Sequence, residues 1–217
     1  MIAVEGGTFI MGDPTSTSQN YIPHNVTLTG FCLAETELTK KLYNKLYATY
    51  STELTPITVK WNGITRLLEK FNAVTFASFN IPTEAQWEFA AKGGVNSKGY
   101  RYSGSDNIDD VAWYGDNSGG NAHEVKTKLP NELGIYDMSG NEREFTLDYF
   151  NAYKEISVTD PLSTTDGKSG HVTRGGLYNS TYNDCTNYVR LRNYYTTTAG
   201  TYYDYEYCGV RLSLNWN

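Results

Sequence analysis

The side chains able to serve as nucleophiles, metal ligands or general bases are few and scattered in this sequence. The cysteines are Cys32, Cys185 and Cys208, and the histidines are His24, His123 and His171. No two cysteines stand at Cys-x-x-Cys spacing and no histidine shares a ligand spacing with one, so a zinc site is not indicated. The odd count leaves at least one thiol unpaired. A Cys185–Cys208 bridge stays open, because spacing alone does not fix the geometry a disulfide needs. Cys32 lies in an apolar strand-like run and reads as an inert buried thiol. Asp137 and Glu144 could form a carboxylate pair for acid–base work, but they flank Gly140-Asn141, where side-chain oxygens satisfy turn backbone groups. Asp106, Asp109, Asp110 and Asp116 read as a solvated acidic loop, with metal binding the lesser alternative.

A different chemistry gathers near the C-terminus. Residues 177–207 hold nine of the 19 tyrosines, with four asparagines, six threonines, Ser180, Asp184 and Asp204. Tyrosine offers a rigid amphipathic surface at low entropic cost, and Asn, Ser and Gly add adaptable hydrogen bonding. Burying so many phenols would oblige each to find a partner, so most are expected at the surface, where clustered aromatics mark an interaction site. The candidate contacts are Tyr178, Asn179, Tyr182, Asn183, Asp184, Asn187, Tyr188, Arg190, Tyr194, Tyr195, Tyr202, Tyr203 and Tyr205. The stretch Asn187–Arg192 alternates, which predicts Val189 and Leu191 facing inward and Tyr188, Arg190 and Arg192 facing outward. A polar loop without a ligand is the plain alternative, and a carbohydrate-binding module with stacked tyrosines is another.

The elements that must position these residues come earlier. Residues 4–12 read as a turn and short strand, and Val26–Leu33 as a second strand. Thr39 is a plausible helix cap, followed by Leu42, Tyr43, Leu46, Tyr47 and Tyr50 at helical spacing. Ile64, Leu67, Leu68 and Phe71 share one face of a second helix. In the third, Pro82-Thr83-Glu84-Ala85-Gln86 fits a capping box, Trp87, Ala90 and Ala91 form the buried face, and Gly93-Gly94 supplies a left-handed stop. After residue 95 helical periodicity gives way to apolar islands at Val111–Tyr114, Leu133–Met138 and Val210–Leu214. This predicts one α+β domain, helices early and irregular β late.

The chain has 217 residues, a formal charge of −6 and only 19% charged residues. Its mass implies about 10,000 Å² exposed of roughly 35,000 Å² for the extended chain, enough burial for a single domain. An acidic chain with few basic clusters argues against nucleic-acid binding. No apolar run reaches the ~18 residues of a membrane span, so no membrane insertion is expected. No signal peptide is visible at the start.

Six segments taken together carry a resemblance: Val4–Gly12, Ile81–Ala91, Val111–Tyr114, Pro130–Asn141, Arg174-Gly175-Gly176 and Gly209–Leu212. In this order and spacing the chain resembles the formylglycine-generating-enzyme/sulfatase-modifying-factor domain over residues 1–217. The resemblance implies a loop-rich, single-domain C-type-lectin-like fold. The aerobic enzyme of that family uses two cysteines six positions apart, counted inclusively. The first falls on Cys185 and the second on Arg190, which neither binds copper nor exchanges disulfides. The family's Trp-Glu-Trp is replaced by Arg143-Glu144-Phe145, and three scattered histidines do not supply the facial site of the related iron enzymes. No catalytic residue is therefore assigned, and the formylglycine-generating oxidase, intact or degenerate, is the alternative. Between the retained flanks, the Tyr/Asn/Thr/Asp/Ser alphabet, with Cys185 and Cys208, is similar to the variable region of proteins diversified by retroelements, which places that region at 177–208. The resemblance implies a non-catalytic receptor-recognition protein, in a phage tail or on a bacterial surface, binding a protein or glycan on another cell. It requires no cofactor, although structural calcium with Asn141 as an oxygen ligand is also implied. Because the chain starts almost on the family's first motif, it is also read as the C-terminal part of a longer display protein.

Overall fold

The computed structural model describes residues 1–165, 170–193 and 207–215, and the backbone of 195–196 and 202–203. The chain opens with strands β1 (Ile2–Val4), β2 (Gly7–Met11), β3 (His24–Leu28) and β4 (Phe31–Leu33). Helix α1 (Lys40–Leu46), strand β5 (Thr58–Val59) and helices α2 (Trp61–Thr75) and α3 (Glu84–Ala91) follow. Beyond a 3-10 turn at Gly94–Asn96 come α4 (Ile108–Val111), β6 (Ala112–Trp113), β7 (Ser139–Gly140) and β8 (Glu144–Tyr149). The last part holds β9 (Val158–Thr159), β10 (His171–Arg174), β11 (Arg190–Asn193), β12 (Tyr195–Thr196), β13 (Tyr202–Tyr203), β14 (Cys208–Gly209) and β15 (Ser213–Asn215). Helices early and short strands late is the arrangement the pattern predicted.

Strand order explains how the chain closes. β4 lies between β1 and β15, so Leu33 faces both Ile2 and Ser213 and the two ends of the chain meet in one sheet. A five-stranded sheet runs β11-β10-β8-β14-β5, and β2-β3-β9 forms a third sheet. The single strand expected at Val26–Leu33 is in fact two. It breaks at Thr29-Gly30, where Gly6 packs so closely that a Cβ there would sit 2.5 Å from the Leu28 carbonyl oxygen. That crossing sends β3 and β4 into different sheets.

Two apolar clusters fill the interior. In the first, Trp87, Phe89, Ala90 and Ala91 of α3 pack on Val4, Phe31, Leu33, Ile135 and Met138. In the second, Ile64, Leu67 and Phe71 of α2 meet Ile57, Phe145, Val210 and Leu212, with Leu68 half-buried beside them. The capping box on α3 is present: the Thr83 hydroxyl accepts from Gln86 N–H at 3.2 Å and Gln86 Oε1 accepts from Thr83 N–H at 3.0 Å. Gly93 and Gly94 then take φ of 92° and 59° and stop the helix. All eight residues of α3 are buried, not one face of it. Its polar members are accommodated because each finds a partner, as described below.

Helix α1 departs from its pattern. Thr39 caps it by accepting from Leu42 N–H at 3.3 Å, but none of its seven residues is buried. Tyr43, Leu46 and Tyr47 lean on the second cluster. Leu42 and Tyr50, expected on the same stripe, are 44% and 90% exposed. The helix ends at Leu46 and Ala48 turns left-handed, which takes Tyr50 off the stripe. No helix among the described residues is long and apolar enough to cross a membrane.

Candidate ligand-recognition surface

The surface begins with the frame beneath it. Glu84 and Glu88 lie one turn apart on α3, and each meets an arginine from the five-stranded sheet. Arg174, at the end of β10, donates to Glu88 Oε2 from Nη2 and lies 3.3 Å from Glu84 through Nε. Arg190, at the start of β11, grips both oxygens of Glu84 at 2.7 and 2.5 Å and donates to the Asn151 carbonyl at 2.7 Å. Its guanidinium also lies 3.9 Å from the centre of the Tyr153 ring and 4.3 Å from that of Phe150. Burial alone would raise the Glu88 carboxyl, but Lys92 and Arg174 outweigh it and hold the group below the usual carboxylate range. A second buried group joins Arg211 to Glu144 at 2.7–3.0 Å, and Glu144 also accepts from the Trp87 indole at 2.7 Å.

These pairs correct two expectations. Arg190 is 2% exposed and is not a surface contact. Arg190 and Arg192 do share a face, since both guanidiniums lie over Phe150, but Val189 and Leu191, expected inward, are only half-buried and join none of the apolar clusters. What the period could not show is that the segment after β8 covers that face at Arg190 and leaves Arg192 exposed. Glu144, expected to serve the Gly140-Asn141 turn, serves Arg211 and Trp87 instead. The turn is held by Glu37, which accepts from Asn141 Nδ2 at 2.8 Å and Glu142 N–H at 2.9 Å. Burial, with Asp137 and Glu144 nearby, raises the Glu37 carboxyl well above its ordinary value. Asp137 accepts from Lys126 N–H at 2.9 Å. Neither Glu37 nor the Glu84/Glu88 pair was singled out by sequence reasoning. A readable sign existed for Glu88, which sits between Trp87 and Phe89 in a chain poor in charge.

Between Arg174 and Arg190 the chain forms a loop pinned from inside. Tyr178 N–H donates to the Asn141 carbonyl at 2.8 Å, and its own carbonyl accepts from the Ser118 hydroxyl at 2.7 Å. Gly115 N–H donates to the Ser180 carbonyl at 2.9 Å. Asn187 donates from its backbone to the Arg101 carbonyl and from its side chain to the Tyr100 carbonyl, both at 3.0 Å. Asn187 is therefore buried, a second correction among the proposed contacts. Outward stand Asn179, Asn183 and Tyr182, the last 50% exposed, with Tyr178, Asp184 and Tyr188 half-buried. Arg101 Nη2 donates to Asn183 Oδ1 at 2.7 Å, tying the loop's rim to the frame. A cleft of about 490 Å³ opens beside Tyr188, Tyr100 and Arg101. Tyr194 and Tyr205 lie outside the described residues, as do the side chains of Tyr195, Tyr202 and Tyr203. The backbones of Tyr195 and Tyr203 are paired across β12 and β13.

The family's catalytic position is differently furnished. Cys185 is fully buried against Tyr102, Val111, Ala112 and Tyr114, and burial, with Asp184 nearby, pushes its thiol up to about 12. A Cβ on Gly176 would lie 2.8 Å from its sulfur, so the thiol is enclosed on that side too. With Arg190 locked on Glu84 at the second position, these residues do not fit a copper ion or a dithiol cycle. No disulfide joins Cys185 to Cys208, so the bridge left open by the sequence is not formed. Asn141 is engaged within the frame: its Oδ1 accepts from His123 N–H at 2.8 Å while its Nδ2 donates to Glu37. In the acidic loop, Asp106 accepts from Arg101 N–H and Asp110 from Ser105 and Asn107.

An ion-paired frame of short sheets that presents a pinned, polar-aromatic loop is a C-type-lectin-like domain of the sulfatase-modifying kind. Residues 46–214 match the sulfatase-modifying factor enzyme 1-like domain, and the chain belongs to that family. It is 27% identical over its whole length to the serine/threonine-protein kinase pkn1 of Chlamydia pneumoniae, covering 38% of that protein. It is 32% identical over 136 residues to the formylglycine-generating enzyme of Streptomyces coelicolor, which covers 55% of this chain and 40% of the relative. The chain thus spans about 40% of the length of these curated relatives. Among solved structures it superposes on Treponema denticola variable protein 1 with a TM-score of 0.83 at 23% identity, covering 100% of this chain and 95% of that one. PvdO from Pseudomonas aeruginosa follows with 0.72 at 17%, covering 99% and 93%. At these identities the likeness is one of fold.

Proposed function

We propose that this chain is a non-catalytic, ligand-binding variable protein, displayed on a phage tail or bacterial surface, whose 177–208 region is diversified by a retroelement to recognise a protein or glycan on another cell. The observation that carries this reading is the division of labour within one loop. Asn179 and Tyr182 face solvent and Asn183 meets only Arg101 at the rim, while Cys185, Asn187 and Arg190 are buried in the frame. Side chains that carry no packing can be exchanged at little cost in stability, and Tyr and Asn suit adaptable recognition. The fold shared with a variable protein and the replacement of the second family cysteine by Arg190 support the same reading.

The test is to sequence many copies of this gene from its natural population. Differences should be confined to 177–208, with Arg190 and Asn187 constant. Identity throughout 177–208, or differences spread evenly along the gene, would overturn the proposal. So would oxidation of a cysteine-containing sulfatase peptide, with copper and oxygen present, that disappears in Cys185→Ser.

A further inference from the structure

Helix α1 is capped by Thr39 and has Lys45 in its last turn, where a cation suits the dipole, but its N-terminal end is less favourable. Its first turn holds no acidic residue and begins with Lys40 and Lys41, cations placed where the helix dipole is positive. Lys41 and Lys45 stand four residues apart, a like-charge spacing that costs a helix a few tenths of a kcal/mol. Lys40 is paired with Glu53 at 2.9 Å, whereas Lys41 and Lys45 have no carboxylate partner among the described residues. Seven residues are too few for a helix to persist on propensity alone, and none of these seven is buried. Beside the two lysines, Leu42 and Tyr50 are exposed, and together they line a shallow cavity of about 480 Å³.

The charge around this helix runs opposite to the rest of the chain. Residues 40–70 carry six cations (Lys40, Lys41, Lys45, Lys60, Arg66 and Lys70) against two acids, Glu53 and Glu69, in a protein of net charge −6. Lys70 lies with its ammonium 4.5 Å from the centre of the Tyr47 ring, which carries the basic surface from α1 onto α2. Lysines interleaved with an exposed aromatic and an exposed leucine are what an anionic bilayer surface recognises: the ammonium groups meet the phosphates and the apolar side chains enter the headgroup layer.

We propose that the α1 face docks on an anionic lipid surface, through Lys41 and Lys45 with Leu42 and Tyr50 as apolar anchors. α1 and α2 flank β5, at the opposite edge of the five-stranded sheet from β11. The inference stands on α1 alone and does not need the 177–208 region to vary.

The experiment is flotation of the full chain with vesicles of phosphatidylcholine containing 30% phosphatidylglycerol, compared with pure phosphatidylcholine. Binding is expected only to the anionic vesicles, and it should fall as ionic strength rises, because the screening length shortens to a few ångström. The Lys41→Glu/Lys45→Glu double variant should bind at least tenfold more weakly, and Leu42→Ser/Tyr50→Ser should bind more weakly at every salt concentration. All four positions are exposed, so thermal unfolding of the variants should match the parent and separates lost docking from lost fold. Absence of binding to anionic vesicles overturns the proposal, as does undiminished binding by the lysine variant. Retention on heparin or RNA without vesicle binding also overturns it and would identify a polyanion partner in place of lipid.

Discussion

Arg190→Ala removes a side chain that the alternation pattern places at the surface. If the buried grip on Glu84 is what this residue does, the loss is large. The substitution deletes two charge-assisted hydrogen bonds at 2.7 and 2.5 Å and a third to the Asn151 carbonyl, and it empties the space between Tyr153 and Phe150. It also leaves Glu84, itself buried, with Arg174 at 3.3 Å as its counter-charge and the Tyr153 hydroxyl, which donates to Oε1 at 3.0 Å. Breaking a buried pair from one side costs about 3–5 kcal/mol, most of it from the stranded charge. For a domain of this size that corresponds to roughly 6–20 °C in Tm. The assay is urea and thermal unfolding followed by circular dichroism, with Arg192→Ala as the control two residues along the same face. Arg192 is exposed, and its loss should cost under about 1 kcal/mol. Should Arg190→Ala not fold at all, Arg190→Lys keeps the charge and loses the two-pronged grip, so an intermediate loss is expected. A cost below about 1 kcal/mol for Arg190→Ala, equal to that of Arg192→Ala, would refute the structural role assigned to Arg190.

Three further outcomes follow from the geometry. Cys185, enclosed and with its thiol pushed up to about 12, should resist iodoacetamide at pH 8 in the folded protein and react fully in denaturant, as read by mass spectrometry. Labelling at the denatured rate would contradict the burial. Thr83→Ala removes the cap of α3 and should cost about 1 kcal/mol, whereas Thr83→Ser should cost less. Burial pushes the Glu142 carboxyl up to about 7 from an ordinary 4.5. The folded state therefore binds that proton more tightly than the unfolded chain, and the contribution is complete below about pH 4.5 and lost as pH rises through 7. It amounts to on the order of 3 kcal/mol at most. Glu142→Gln should reduce the fall in urea midpoint between pH 5 and pH 8, and an unaltered slope would count against the assignment.

The parts of the fold that were readable from the sequence are those governed by local rules. Thr83 and Gln86 close a capping box within four residues, Gly93 and Gly94 end the same helix by their backbone freedom, and Ile64, Leu67 and Phe71 repeat at helical spacing. The exposed positions Asn179, Tyr182 and Asn183 were also readable, because residue type alone argues that uncharged polar and phenolic side chains in a crowd stay near water. What was not readable depends on partners far along the chain. Arg190 is turned from a surface residue into a buried one by Glu84, 106 positions earlier. Asn187 is drawn in by the carbonyls of Tyr100 and Arg101, and Glu37 reaches Asn141 across 104 positions. A two-residue period tells which side chains share a face of a strand, and here it did so for Arg190 and Arg192. It is silent about which part of that face another segment will cover.

Arg174 and Arg190 bracket the recognition loop, and they land on Glu88 and Glu84, one turn apart on the same rigid helix. The loop's two feet are thus planted about a helical pitch from one another on a support that does not include the loop. Whatever bridges them starts and finishes at fixed points, and doubling the length of a bridge adds only about 0.6 kcal/mol of closure cost. Foreign peptides spliced into 181–184, beyond the inner pins at Tyr178 and Ser180, should therefore keep the same mounting, which makes this span a natural socket for grafted sequences.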